Sequence, residues 1–231
     1  MSPQQGIVKG DALQKISSAG FIIGAILFGI GGLLMPYAAK PTNNVQEMLK
    51  PLGEHEFRTY VSSLIVTIGF LAAMIGTAGL YRSITAAGAA WARLGFYFTL
   101  VGTALWTVSL SLDIATASSV ANWLAAPAGS KEAAYTVVAA VNAVGRGVIP
   151  ITWIVYWVAY AFLGIAMIHS LIYPRWLGWI GLILATIVVT VGITQTFNAR
   201  STTLTLVFAV LMLLTALWDL VAGIWVARRA W

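Results

Sequence analysis

The chain lacks cysteine and is poor in charge. Of its 231 residues none is Cys, two are His, and 9% are charged. The absence of cysteine excludes disulfides, thiolate metal sites, iron–sulfur clusters and cysteine nucleophiles. A soluble domain carries about a quarter charged residues. Because so few charges cannot cover the surface of a chain this long, we expect the solvent of this protein to be largely lipid.

Long apolar runs account for the remaining composition, since 60% of the residues are hydrophobic. Runs of about 20 residues match a hydrocarbon core of ~30 Å, and spans of this kind are helical because their backbone groups must be satisfied internally. The sequence therefore predicts an all-α, polytopic transmembrane helix bundle, formed by residues 1–231 as a single membrane domain. Six spans are expected, at 17–39, 59–81, 94–116, 150–172, 176–197 and 203–227.

The stretch 132–172 is too long for one span, because 41 helical residues would reach ~60 Å. One alternative is a seventh span at 133–149. The favoured interpretation is an outer helical excursion over about 117–149. It contains a surface helix that breaks near Gly145–Pro150, with Pro150 in the first turn of the next span.

The basic residues predict the orientation. With a cytoplasmic N-terminus and with Arg146 set aside, seven lie inside and five outside, which follows the positive-inside rule. Those inside are Lys9, Lys15, Arg82, Arg93, Arg175, Arg228 and Arg229, and those outside are Lys40, Lys50, Arg58, Lys131 and Arg200. Outer loops also carry Glu47, Glu54, Glu56 and Glu132, against Asp11 inside. We expect both termini on the cytoplasmic side of a prokaryotic cytoplasmic membrane. The net charge of +6 thus encodes orientation, and no nucleic-acid binding is expected.

Three ionisable residues within or beside spans are candidates for a functional site, because charge in the bilayer is costly. Asp113 and Arg146 both fall near the outer boundary and are predicted to pair. Asp219 lies nearer the inner side, where Arg93 is its predicted partner, with Arg82 and Arg175 as alternatives. Since neither acid is central in its span, we expect structural ion pairs rather than a proton path.

Two polar lines follow a four-residue step, which places their members on one helix face. The third span carries Thr99, Thr103, Thr107 and Ser111, and the fifth carries Thr186, Thr190 and Thr194. Such hydroxyls bond across helices or back to their own carbonyls. The alternative is a hydrated cavity, for which Thr103, Thr107 and Thr190 would be ligand-facing.

An aromatic face on the fourth span comprises Trp153, Tyr156, Trp157 and Tyr160. Core packing is the favoured interpretation. The alternative is a bound lipid, quinone or pigment, or a partner helix, in which case Trp153, Trp157 and Tyr160 would face the ligand.

The loop residues Glu54, His55 and Glu56 offer nitrogen and oxygen donors suited to Zn or Fe. They lack helical ligand spacing and a second histidine, and a solvated loop is favoured. His169 is expected on the opposite side, so this chain alone cannot supply both ligands of a bis-histidine haem. No span contains a lysine for a Schiff base, and neither a cofactor nor a metal is predicted.

The six-span layout, the first-span segment FIIGAILFGIGGLL and the segment IHSLIYPRWLGWIGLILA resemble a domain-of-unknown-function family of small six-helix prokaryotic membrane proteins. In that family a Pro-Arg-Trp-Leu-Gly-Trp hairpin recurs between late spans. The resemblance implies the fold and the span count. It implies no activity and no catalytic residue.

The sequence favours a non-catalytic integral membrane subunit or scaffold. Its partners would be membrane lipids and either a partner membrane complex or further copies of itself. The alternative is a transporter or a protein that binds a small hydrophobe such as a quinone, lipid or pigment between the threonine lines and the aromatic face. A membrane enzyme with its metal at Glu54, His55 and Glu56 is the third and least favoured hypothesis.

Overall fold

The computed structural model describes residues 12–36, 44–198 and 201–230. These residues form seven α-helices and no strand, which confirms the all-α bundle. The helices are α1 Ala12–Leu34, α2 Val45–Glu54, α3 Glu56–Ser83, α4 Ala89–Ala125, α5 Lys131–Ile168, α6 Arg175–Phe197 and α7 Thr202–Ala230, with short 3₁₀ turns at Ala86–Gly88 and Ala128–Ser130.

The six long helices form a closed ring in chain order. Each packs on the next, from α1 through α3, α4, α5 and α6 to α7, and α7 packs back on α1. All six are long and apolar enough to cross a membrane, and the protein is an integral membrane protein. We call the end where α1 begins and α7 ends the terminal end, and the opposite end, which carries α2, the α2 end.

Small residues bring α1 against α3. A methyl group added at Gly20 would lie 2.6 Å from the Ala72 carbonyl oxygen, and one added at Gly24 would lie 3.0 Å from the Ala73 nitrogen. The Ser62 hydroxyl donates from α3 to the Gly31 carbonyl of α1 at 2.7 Å. Only residues without a side chain allow backbones this close, which is the usual role of small residues between membrane helices.

Aromatic side chains fill the interior of the ring. Phe70 of α3 stacks on Trp106 of α4 with ring centroids 4.4 Å apart. Trp153 of α5 stacks on Phe208 of α7 at 3.5 Å. The aromatic face predicted on the fourth span is buried here, since none of its four members is more than 4% exposed. All four side chains belong to the apolar core of the ring.

The break expected near Gly145–Pro150 is wrong, because α5 runs through Pro150 as one helix of 38 residues. A proline within a helix removes one backbone hydrogen bond and crowds the preceding turn. Packing of α4 and α6 on either side of α5 outweighs that cost. For the same reason, 133–149 is part of α5 and not a seventh span of its own.

A helical hairpin projects from the ring at the α2 end. At 1.5 Å per residue, the 37 residues of α4 and the 38 of α5 each reach ~55 Å, well beyond a hydrocarbon core of ~30 Å. The α4 helix continues to Ala125, past the end at 116 that the sequence predicted. The connection between the two helices is short, at residues 126–130, and the outer excursion expected over about 117–149 stays a prediction.

The amphipathic helix α2 packs against the projecting hairpin. Leu49 forms a second apolar core with Val120 and Trp123 of α4 and Val138 of α5. This part of the chain was expected to be a loop over 40–58. Arg58 caps α1 from the start of α3, because its Nε donates to the Leu34 carbonyl at 2.5 Å. Among the predicted orientation signals, Lys9, Asp11, Lys40 and Arg200 lie outside the described residues.

Candidate functional site

A buried acid and a buried tyrosine meet inside the ring. The Tyr160 hydroxyl of α5 lies 2.9 Å from Oδ1 and 3.0 Å from Oδ2 of Asp219 on α7. Asp219 is 0% exposed and Tyr160 is 2% exposed. The Tyr156 hydroxyl, one turn along α5, lies 3.4 Å from that of Tyr160. The carboxyl group thus receives a hydrogen bond in a place where an unsatisfied one would be costly.

Two tryptophans complete the polar contacts around this pair. Trp218, next to Asp219, donates from its Nε1 to the Leu177 carbonyl of α6 at 2.9 Å. Trp157 donates to the Thr215 hydroxyl of α7 at 3.2 Å. Together with the Tyr160–Asp219 contact, these bonds join α5, α6 and α7 near the terminal end. The arrangement anchors three helices, and every polar atom named here has a partner.

One small empty volume in the aromatic interior of the ring is bordered by six side chains and has no room for a water molecule. They are Phe28, Phe70, Tyr156, Trp157, Met212 and Thr215. A ligand could occupy this space only if the surrounding rings moved.

The predicted threonine lines do not meet in a cavity. Thr103 is buried, whereas Thr107 and Thr190 are exposed on the outside of the ring. The Thr107 hydroxyl donates to the Thr103 carbonyl at 3.0 Å, and that of Thr190 donates to the Thr186 carbonyl at 2.9 Å. These hydroxyls satisfy themselves on their own helices, one turn back.

The structure gives Asp219 a partner, Tyr160, that the sequence argument did not consider. Arg82, Arg93 and Arg175 all have exposed side chains. The ion pair of Asp219 with Arg93 stays a prediction. Tyr160 was recognised as part of an aromatic face, but no local signal relates it to an acid two spans further along the chain.

Asp113 and Arg146 lie at the same level of the α2 end. A methyl group added at Gly102 would lie 2.8 Å from Tyr156 Cα, which fixes the register of the antiparallel pair α4 and α5. Asp113 lies eleven residues after Gly102, and Gly145 lies eleven residues before Tyr156. Eleven residues make about three turns, so this register places Asp113 opposite Gly145, beside Arg146. With the Asn142 amide oxygen turned toward Arg146, the guanidinium Nε and Nη2 donate to it at 3.1 Å each. The ion pair between Asp113 and Arg146 stays a prediction that this register favours.

The candidate metal loop separates into two helices. Glu54 ends α2, His55 lies between the helices and Glu56 begins α3. The Glu56 carboxylate accepts a hydrogen bond from Tyr60. Within residues 12–36, 44–198 and 201–230, no group of three His, Cys, Asp or Glu side chains could hold a metal ion.

The fold and these contacts define a six-helix integral membrane bundle with an aromatic interior and a projecting hairpin. A family model described as "Domain of unknown function (DUF4386)" matches residues 16–228, and the chain belongs to that family. This confirms the resemblance to a domain-of-unknown-function family. Neither the curated proteins nor the solved structures contain a match.

Proposed function

We propose that the protein is a non-catalytic membrane scaffold or subunit that binds a helix of a partner membrane complex. One face of α5 supports this proposal. The α6 helix covers this face within the ring but does not cover it on the projecting hairpin. The aromatic side chains that pack the interior of the ring support the same assignment.

The bare face continues the contact between α5 and α6. Inside the ring, a methyl group added at Gly192 of α6 would lie 3.0 Å from Ile154 Cγ1 of α5. The α6 helix ends at Phe197, while α5 extends about five turns further from this contact. On that extension and at its base the exposed residues alternate in steps of three and four. They are Ala133, Val137, Ala140, Val144, Gly147 and Ile151, which we call the α5 stripe.

The α5 stripe has the spacing and composition of a helix-packing seam. Steps of three and four residues are those of a heptad repeat, in which two helices pack along one line. Val137 and Val144 are each 56% exposed, and none of the six members carries a charge. An apolar seam on a part of the protein that projects beyond the hydrocarbon core gains free energy when another helix covers it.

The proposed orientation places the α2 end outside a prokaryotic cytoplasmic membrane, with both termini in the cytoplasm. Exposed Arg82, Arg93, Arg175 and Arg228 lie at the terminal end, whereas exposed Glu47, Glu54 and Glu132 lie at the α2 end. Basic residues concentrate on the cytoplasmic side of membrane proteins. The partner helix is accordingly an extracytoplasmic segment of its own protein.

The test is native mass spectrometry of the full chain extracted from its own membranes in mild detergent. A complex of fixed stoichiometry is expected for the natural sequence. Val144→Glu places a charge in the seam and should dissociate it. Leu171→Glu is the matched control, because Leu171 is 97% exposed and lies at the terminal end. If Val144→Glu and Leu171→Glu give the same complex as the natural sequence, the α5 stripe is not the binding surface.

A second candidate function is the binding of a small hydrophobe such as a quinone, lipid or pigment. The empty volume bordered by Phe70, Tyr156 and Trp157 supports it, because a flat apolar molecule could replace the contacts between rings there. Extraction of the purified protein with organic solvent, followed by mass spectrometry, tests this function. A single apolar compound at one molecule per chain is expected, and its loss in Phe70→Ala but not in Thr190→Ala would assign the site.

A further inference from the structure

A polar layer lies above the aromatic core at the α2 end of the ring. Ser63 of α3 is 0% exposed, Ser109 of α4 is 2% exposed and Gln195 of α6 is 7% exposed. The oxygens Ser63 Oγ, Ser109 Oγ and Gln195 Oε1 have no hydrogen-bond partner among the described residues. Buried polar atoms in proteins are nearly always paired with protein, water or a ligand. Three such oxygens at one end of the bundle indicate a binding site.

The register of α3 and α4 places Ser63 beside Asp113. Phe70 stacks on Trp106 at 4.4 Å. Ser63 lies seven residues before Phe70, and Asp113 lies seven residues beyond Trp106. Seven residues are about two turns, so Ser63 lies on the same face of α3 as Phe70, and Asp113 lies on the same face of α4 as Trp106. Ser109 lies one turn before Asp113 on the same face, which places a carboxylate and two hydroxyls together.

The facing part of α5 offers open space and a cation. Gly145 is buried, yet a methyl group added to it would meet no atom within 4 Å. The register of α4 and α5 places this residue opposite Asp113. Arg146 follows it, with its guanidinium oriented by the Asn142 amide. Asp113 and Arg146 are both partly exposed, so the space opens to the surroundings.

The polar layer lies where helices of the ring end, and so at the level of lipid headgroups. The Ser62 hydroxyl is 3.9 Å from Met35 Sδ, immediately past the last residue of α1. Gln195 lies two residues before Phe197, where α6 ends. Membrane spans of 23 residues, as in α1, cover the hydrocarbon core with little to spare. A molecule in this space would therefore have its polar part between water and lipid.

We propose that this polar layer binds a zwitterion with a primary ammonium group and a phosphate, the chemistry of a phosphoethanolamine headgroup. An ammonium has three N–H donors and no acceptor, which fits the Asp113 carboxylate with the Ser63 and Ser109 hydroxyls. The phosphate lies toward Arg146, since a guanidinium binds phosphate oxygens through paired N–H groups. This inference goes beyond the proposed scaffold function and does not depend on it.

Other ligands of similar size fit this donor set less well. A trimethylated ammonium has no N–H group to offer the two serine hydroxyls and Asp113. A phosphate without an amine leaves the same oxygens unpaired. A divalent cation needs six or more oxygens, several of them from carboxylates, whereas the described residues of this layer supply one carboxylate, that of Asp113.

The experiment titrates the full chain in mild detergent with short-chain phospholipids and follows binding by calorimetry. We expect phosphatidylethanolamine to bind at least ~10-fold more tightly than phosphatidylcholine or phosphatidylglycerol with the same acyl chains, a difference of ~1.4 kcal/mol. Competition with free O-phosphoethanolamine shows whether the natural ligand is a soluble molecule or a lipid. If free O-phosphoethanolamine displaces the lipid at a similar concentration, the ligand is the soluble molecule. If it does not, the ligand is the lipid headgroup. Equal affinity for the three lipids, or no binding, contradicts the proposal and leaves water as the partner of these oxygens.

Variants assign the two charges separately. Asp113→Asn should abolish the preference for phosphatidylethanolamine over phosphatidylcholine, and Arg146→Gln should weaken both lipids together. Ser63→Ala, a smaller change, should reduce the preference several-fold even if the Asp113 variant does not fold. Thr190→Ala is the control, because Thr190 is exposed on the outside of α6. An unchanged preference in both Asp113→Asn and Ser63→Ala contradicts the proposal.

Discussion

The Tyr160 hydroxyl is shared between both carboxylate oxygens of Asp219, at 2.9 and 3.0 Å. The two residues belong to α5 and α7, which are not consecutive in the ring because α6 lies between them. The contact therefore crosses the interior of the bundle. It places the most deeply buried acid of the described chain in a structural role, as part of the packing that closes the ring.

Replacing Tyr160 by Phe should destabilise the bundle, because the Asp219 carboxyl group then loses its hydrogen bond in a dry interior. We expect the free energy of unfolding to fall by about 1–2 kcal/mol. Unfolding by denaturant in mixed micelles measures it. Tyr97→Phe is the control, since Tyr97 is 52% exposed. The double variant Tyr160→Phe/Asp219→Leu should recover part of the loss, and strictly additive effects would contradict the contact.

The close approach of α1 and α3 predicts opposite outcomes for two glycines of the same helix. Gly20→Leu forces side-chain atoms into the backbone of α3 and should cost about 1–3 kcal/mol or prevent folding. Gly29→Leu should be neutral, because an added methyl group there would meet no atom within 4 Å. Thermal unfolding in one detergent compares the two. Equal loss of stability in both variants would show that α1 and α3 are not in this contact.

An unbroken α5 predicts a long distance across Pro150. Spin labels at Ala140→Cys and Val158→Cys are separated by eighteen residues, or ~27 Å along a straight helix. The natural chain has no cysteine, so labelling is specific. Pulsed electron resonance in nanodiscs should give one distribution near this distance. A much shorter distance would mean that the chain turns at Gly145–Pro150.

The fold was largely predictable from the sequence, since six apolar runs of span length indicate six helices wherever their exact ends lie. The continuity of α5 through Pro150 was not predictable. Gly145, Gly147 and Pro150 are local signals for ending a helix, and the packing of α4 and α6 on α5 overrides them. The length of 132–172 indicated that a helix there would be longer than the hydrocarbon core is thick. It could not distinguish a helix lying on the surface from one that projects.

The candidate sites were harder to predict, because each depends on a register between helices. Asp219 and Tyr160 were both singled out, yet nothing local relates a residue of α5 to one of α7. Ser63 and Ser109 gave no signal alone. They become a site only when the Phe70–Trp106 stack fixes the level of α3 against α4. Thr107 and Thr190 follow the four-residue step that places residues on one helix face. That step does not show whether the face points into the ring or away from it.

Cysteine labelling of intact cells tests the proposed orientation. A membrane-impermeant maleimide should label Ser130→Cys without permeabilisation, because Ser130 is exposed at the tip of the projecting hairpin and lies outside the α5 stripe. Leu171→Cys should be labelled only after permeabilisation, because the connection between α5 and α6 lies at the terminal end. Val210→Cys, on the lipid-facing side of α7 and 57% exposed, should stay unlabelled in both conditions. The reverse pattern for Ser130→Cys and Leu171→Cys would place the α2 end in the cytoplasm.

The most direct test of the scaffold function is photo-crosslinking from the α5 stripe in native membranes. A benzophenone amino acid at Val137 or Val144 should give the same single crosslinked protein. The same group at Val210 should give lipid adducts alone. Crosslinks to one protein from both stripe positions are the result that our account predicts. Lipid adducts from all three positions would contradict it, because the α5 stripe would then have no partner helix.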